Sequence, residues 1–152
     1  MTLRWAARFL VLALCALVTR AAAAQATTQS SRDPVSGSSL GQNYPNPFNS
    51  ETTIPFSIGD APSCSDAGRQ YRVSLKIYNV LAQMVAVPVL QGGSSSIAGG
   101  QPLSNVLLTC GQYTAYWDGK YLSNGREVAS GIYMYRLEVD GKAIFRKMIV
   151  MK

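Results

Sequence analysis

Apolar and polar residues alternate with a period of two in several stretches of the chain. That period marks strands with one face buried. The clearest run sets Tyr71, Val73, Leu75 and Ile77 against Arg72, Ser74 and Lys76. A second opens at Gly131, with Tyr133, Tyr135, Leu137 and Val139 on one face and Arg136 and Glu138 on the other. Asp140-Gly141 follows at once. A type I′ turn needs positive φ at both central residues, which Asp-Gly tolerates, so a hairpin is predicted. Its returning strand is Ala143 to Met151. There Ile144, Met148 and Val150 share a face with Arg146, while Phe145, Ile149 and Met151 share the other with Lys147. The pattern alone does not choose which face points inward.

Shorter signals fill the remainder. Ile54, Phe56 and Ile58 predict a first strand, and Pro55, which has no N–H to give a ladder, predicts that it lies at an edge. Val85, Val87 and Val89 predict one strand, with Pro88 again marking an edge. Val106 to Leu108 predicts a short strand, and Tyr113, Ala115 and Trp117 another. Residues 79–83 predict a turn. The Gly/Ser-rich stretch 91–104 predicts a mobile connection. Asn43 to Asn49 reads NYPNPFN. Two prolines fix φ and bias the residues before them away from helix, so a stiff turn is predicted. It would lay Tyr44 and Phe48 on apolar surface as a plug closing one end of the sandwich, the alternative being a sugar-stacking site. No helical period follows residue 24, so the fold class is all-β.

Met1 to Ala24 has the layout of a secretory signal peptide. Arg4 and Arg8 precede an apolar run from Phe9 to Val18, and Ala22-Ala23-Ala24 predicts cleavage between Ala24 and Gln25. The apolar run is too short to cross ~30 Å of hydrocarbon, so no membrane span is expected after cleavage. Residues 25–39 are rich in Ser, Thr and Gln and predict a flexible linker. Losing Arg4, Arg8 and Arg20 with the leader would halve the formal net charge of +6. The remaining cations are scattered, which argues against nucleic-acid binding.

The chain has no histidine, which removes the commonest general base and metal ligand. The carboxylates fall mostly in loops and turns, and Asp118 before Gly119 reads as a turn former rather than a calcium ligand. No enzymatic activity, metal or cofactor is expected. Cys64 and Cys110 are the cysteines that remain after cleavage. An even count in an exported chain predicts a disulfide. If the strands run up and down, both cysteines fall at the same end. A ring of about 45 residues would contribute roughly 4 kcal/mol.

The order WDG…G…VASGIYMYRL…RKMIVMK, with NYPNPFNSETTIPFSI upstream, resembles the C-terminal sorting domain (type A) of type IX secretion substrates. That domain is related to the Ig-like domain of flagellar hook-capping proteins. The resemblance covers Leu40 to Lys152. It implies an immunoglobulin-like antiparallel β-sandwich of six to eight strands in residues 40–152. It further implies export through the inner membrane on residues 1–24. An outer-membrane translocon would then recognise the folded domain and deliver it to the extracellular or outer-membrane surface. The positions matching the family's motifs are Pro45, Pro47, Gly131, Tyr133, Lys147 and Lys152, and they are the sorting candidates. The family's turn glycine is Ala82 here, which puts a positive-φ turn in question. No passenger domain fits between leader and sandwich. The alternative is therefore an autonomous structural or adhesive envelope module that binds a protein or a glycan.

Overall fold

The structure, a computed structural model, describes residues 37–93 and 99–152. The predicted leader, its cleavage point and most of the linker lie outside the described residues. Among the described residues nine strands are formed: β1 (Ser39–Leu40), β2 (Thr52–Ile58), β3 (Gln70–Tyr78), β4 (Met84–Ala86), β5 (Val89–Gly93), β6 (Val106–Thr109), β7 (Gly111–Trp117), β8 (Gly131–Val139) and β9 (Lys142–Val150). They make an antiparallel β-sandwich. One sheet has the order β1-β2-β7-β5, and the other β4-β3-β8-β9 with β6 also on β3. The short β1 and β4 carry the count to nine.

Periodicity became burial as the physics requires. Val73, Leu75, Ile77, Tyr135 and Leu137 are wholly inaccessible, and Trp117 and Tyr133 nearly so. Each such side chain stabilises the fold by about 1.5–3 kcal/mol relative to an exposed one. Asp140 and Gly141 both take positive φ, at 48° and 81°, and pair Val139 with Lys142 across the turn. Two tyrosines hook back on their own chain. The Tyr113 hydroxyl donates to Thr109 O at 2.9 Å and the Tyr133 hydroxyl to Ala129 O at 3.0 Å. Hooks of this kind fix corners in immunoglobulin-type sandwiches.

Four expectations need correction. Strand β2 is not an edge strand, since β1 lies beyond it. Pro55 is tolerated because β1 pairs only with Ser57 and Phe56, and Pro55 O accepts from Gly41 N at 2.8 Å. A residue's N and O point the same way in a strand, so the missing donor faces the gap past the end of β1. The run Val85–Val89 is two strands in two sheets. The chain crosses at Val87-Pro88, and Ala86 joins Val85 inside. In the stretch expected to be mobile, Gln101 O and Gly100 N bond Leu90, Leu103 N bonds Pro88 O, and Leu103 is wholly buried. Residues 94–98 of that stretch lie outside the described residues. Last, Ala82 adopts φ 58° although it is not glycine. Asn79 makes this possible, because its Oδ1 accepts from both Leu81 N and Gln83 N at 3.0 Å.

Candidate functional site at the proline loop and the last strand

The proline loop, residues 43–49, is built around Asn43. This side chain is buried, and its Nδ2 donates to Pro45 O and Thr52 Oγ1, both at 3.0 Å. Asn43 N donates to the Tyr135 hydroxyl at 3.1 Å, and that hydroxyl donates to Gly41 O at 2.7 Å. Pro45 and Pro47 both follow cis peptide bonds. Phe48 is the plug that was expected. It is 2% exposed and meets Trp117 edge-on at 5.5 Å, and Trp117 meets Tyr133 at 6.0 Å. Tyr44 is not a plug, since it stands 79% exposed. Gly119, at φ 67°, lets the backbone after the loop pass close by, because a Cβ there would collide with Ser50 O.

The loop clamps the outer edge of β9. Phe48 N donates to Ile149 O at 3.0 Å, Met151 N donates to Phe48 O at 2.9 Å, and Ile149 N donates to Asn46 Oδ1 at 2.9 Å. Gln42 Nε2 donates to Lys147 O at 3.1 Å. The end of the last strand is therefore already paired within the chain. Val150 is core, so removing Ile149–Lys152 would strip the clamp and a buried side chain together.

The six sorting candidates lie on or beside this clamp. Pro45 and Pro47 flank Asn46. Gly131, at φ 154°, begins β8 opposite Val150. Tyr133 pairs with Met148. Burial, and secondarily its neighbour Tyr121, push the Tyr133 hydroxyl up to about 12. Lys152 closes the same end, its N donating to Ser130 Oγ at 2.9 Å and its Nζ 3.2 Å from Glu127. Lys147 gives its carbonyl to the clamp, while its side chain stands on the outer face of the second sheet, where the residue pairs across to Met134. The phase of β9 is settled as well. Met148 and Val150 are inside, Ile144 packs against the core, and Phe145, Lys147 and Ile149 face out.

At the other cysteine-bearing loops, Cys64 and Cys110 are disulfide-bonded across a separation of 46 residues. Nearby, hydrogen bonds from the Ser65 hydroxyl and amide hold the Asp60 carboxyl below its ordinary pKa. Asp118 and Asn124 cap their own turns, at Lys120 N and Arg126 N. Among the described residues no three acidic, cysteine or histidine side chains gather as a metal site would require.

No known protein family matches the chain, and no curated protein does. Solved structures share parts of its shape. One is PorZ of Porphyromonas gingivalis, described as an essential bacterial surface component of the type-IX secretion system. It aligns at 18% identity and TM-score 0.41, over 82% of this chain and 13% of PorZ. Another is the alkylpurine DNA glycosylase AlkC of Pseudomonas fluorescens, bound to DNA with an abasic-site analogue. It aligns at 12% identity and TM-score 0.46, over 77% of this chain and 31% of that one. Likenesses this distant assign neither a family nor an activity.

Asn43, Asn46 and Gln42 are what the sequence reading missed. Gln42 and Asn46 act through side-chain amides that meet backbone groups more than a hundred residues away, at Lys147 and Ile149, while the Asn43 amide bonds Pro45 O and Thr52. The only local signal was the pair of asparagines framing Pro45.

Proposed function

We propose that residues 40–152 form a non-catalytic module that addresses the protein to the cell surface through an outer-membrane type IX translocon. One observation supports the reading most. The two stretches that resemble the sorting family, NYPNPFN and RKMIVMK, are hydrogen-bonded into a single unit at Phe48, Asn46 and Ile149. A translocon would meet one composite surface, with Pro45 and Pro47 exposed beside the last strand and the Lys147 and Lys152 side chains near it. The bonded cysteines accord with an exported chain.

Replacing Lys147 and Lys152 together by Ala tests this without unfolding the domain, because exposed ion pairs such as Lys152–Glu127 add little stability. The variant should melt like the parent and lose part of its surface fraction to the periplasm. A folded variant that reaches the surface at the parental level rules out the lysines as the address. A second reading, an adhesive module, is favoured by the solvent-facing Tyr44 ring. Rings presented this way stack on sugars and partner side chains. Tyr44→Ala would then abolish surface adhesion and leave export unchanged.

A further inference from the structure

Part of the β9 edge and the outer face of the second sheet carry no cover among the described residues. The two-residue turn makes Val139 and Lys142 a bonded pair. The alternation of an antiparallel ladder then turns the peptide groups of Ala143, Phe145, Lys147 and Ile149 away from β8. The proline loop and Gln42 take up Ile149 and the Lys147 carbonyl. The N–H and C=O of Ala143 and Phe145, and the N–H of Lys147, have no partner among the described residues. Phe145, 55% exposed, borders a groove of about 420 Å³ with Tyr78, Val80, Met134 and Arg136. The surroundings are basic. On the strand itself Lys147 stands on this outer face, while Lys142 and Arg146 lie at the same edge on the opposite face, Arg146 with its Nε donating to Leu40 O. The one carboxylate that β3, β8 and β9 place on the outer face, Glu138, is tied to Arg136 at 2.7 Å.

We propose that the Ala143–Lys147 edge is a docking site for an extended, acidic segment of a partner protein. The segment adds a strand beside β9 and lays apolar side chains along Phe145 and the groove. Backbone pairing supplies affinity, and the alternating side chains choose the partner. A second copy of this chain is disfavoured. A two-fold pairing centred on Phe145 would gather Lys142, Arg146 and Lys147 of both copies into one short ladder, and basic edge residues oppose such self-pairing. Asn46 and Phe48 already hold the far end of β9, so the incoming strand must stop there, which sets its register. This site goes beyond the sorting reading, and its test in solution is independent of export.

The probe is a short capped peptide of alternating glutamate and valine, with its lysine–valine counterpart as control, added to the isotopically labelled full chain. The expected result is saturable shifts of the Ala143, Phe145 and Lys147 amides, slowed hydrogen exchange at the same positions, and weakening by salt. Lys142→Glu should weaken binding about threefold to fivefold, the worth of an exposed ion pair. Phe145→Pro removes an N–H that β8 does not use and should abolish binding. Should that variant melt early, Phe145→Ser removes the groove wall instead and should still weaken binding. Absent shifts, equal binding of the lysine peptide, or shifts confined to the proline loop would overturn the proposal. Concentration-dependent protection of these amides without peptide would also overturn it, by assigning the edge to a second copy.

Discussion

Replacing Tyr135 by Phe deletes one oxygen from the centre of the molecule and tests how the proline loop is held. The ring is wholly buried and keeps its packing. The hydroxyl accepts from Asn43 N and donates to Gly41 O, so both backbone groups lose their partner. A buried polar group left unpaired costs about 1–3 kcal/mol, and water entering the vacated space offsets part of the total. A net loss of about 2 kcal/mol is expected, equivalent to roughly 8–16 °C in melting temperature for a domain near this size. The loss should be local in character. Hydrogen exchange should quicken first at Asn43, Tyr44 and Phe48, whose bonds hold the loop, before it quickens at Leu75 in β3. Leu75→Ala is the contrast, a core truncation costing ~2–5 kcal/mol that loosens the whole sandwich. An unchanged melting temperature for Tyr135→Phe, or exchange that rises uniformly, would refute the view that this hydroxyl pins the loop.

Cys64→Ser should lower stability by roughly 4 kcal/mol on the chain-entropy account while leaving the strand content intact, as melting curves and circular dichroism would record. Ala82→Gly should raise stability by about 0.5–1 kcal/mol in denaturant titration, because it relieves a left-handed residue that has a Cβ. Alkali should act through Tyr133. Its folded pKa of about 12 exceeds the ordinary tyrosine value of 10.0. The fold therefore keeps a proton that the unfolded chain has released, and stability, complete below about pH 10, falls as pH rises from there towards 12. Tyr133→Phe should flatten that fall in alkaline melting curves, and an unchanged slope would count against the assignment.

How far the sequence could be read depended on the range of the interactions. Strands β2, β3, β7, β8 and the hairpin into β9 were legible because alternation and Asp-Gly are local signals with local causes. The bond between Cys64 and Cys110 was legible because only two cysteines follow residue 24 and both fall at one end. Sheet membership was not legible. Val85, Val87 and Val89 alternate like one strand, yet the chain turns between sheets at Pro88, and nothing in a period of two encodes that step. Pro55 misled because a proline forbids a donor on one side only, and β1 ends before that side is needed. In the candidate site, Phe48 was predictable as an aromatic in a stiff loop. Tyr44 has the same composition around it and points out. The clamp on β9 depended on which backbone groups the fold left unpaired, and that is known only once β8 and β9 are aligned.

The central claim is that the sandwich carries an address read at the outer membrane. The most direct measurement is the surface fraction of the tagged full chain in a host with a working type IX translocon, compared with the same host after the translocon is disabled. The account predicts surface-exposed chain in the first host and folded, disulfide-bonded chain held in the periplasm of the second. Equal surface fractions in the two hosts would contradict it.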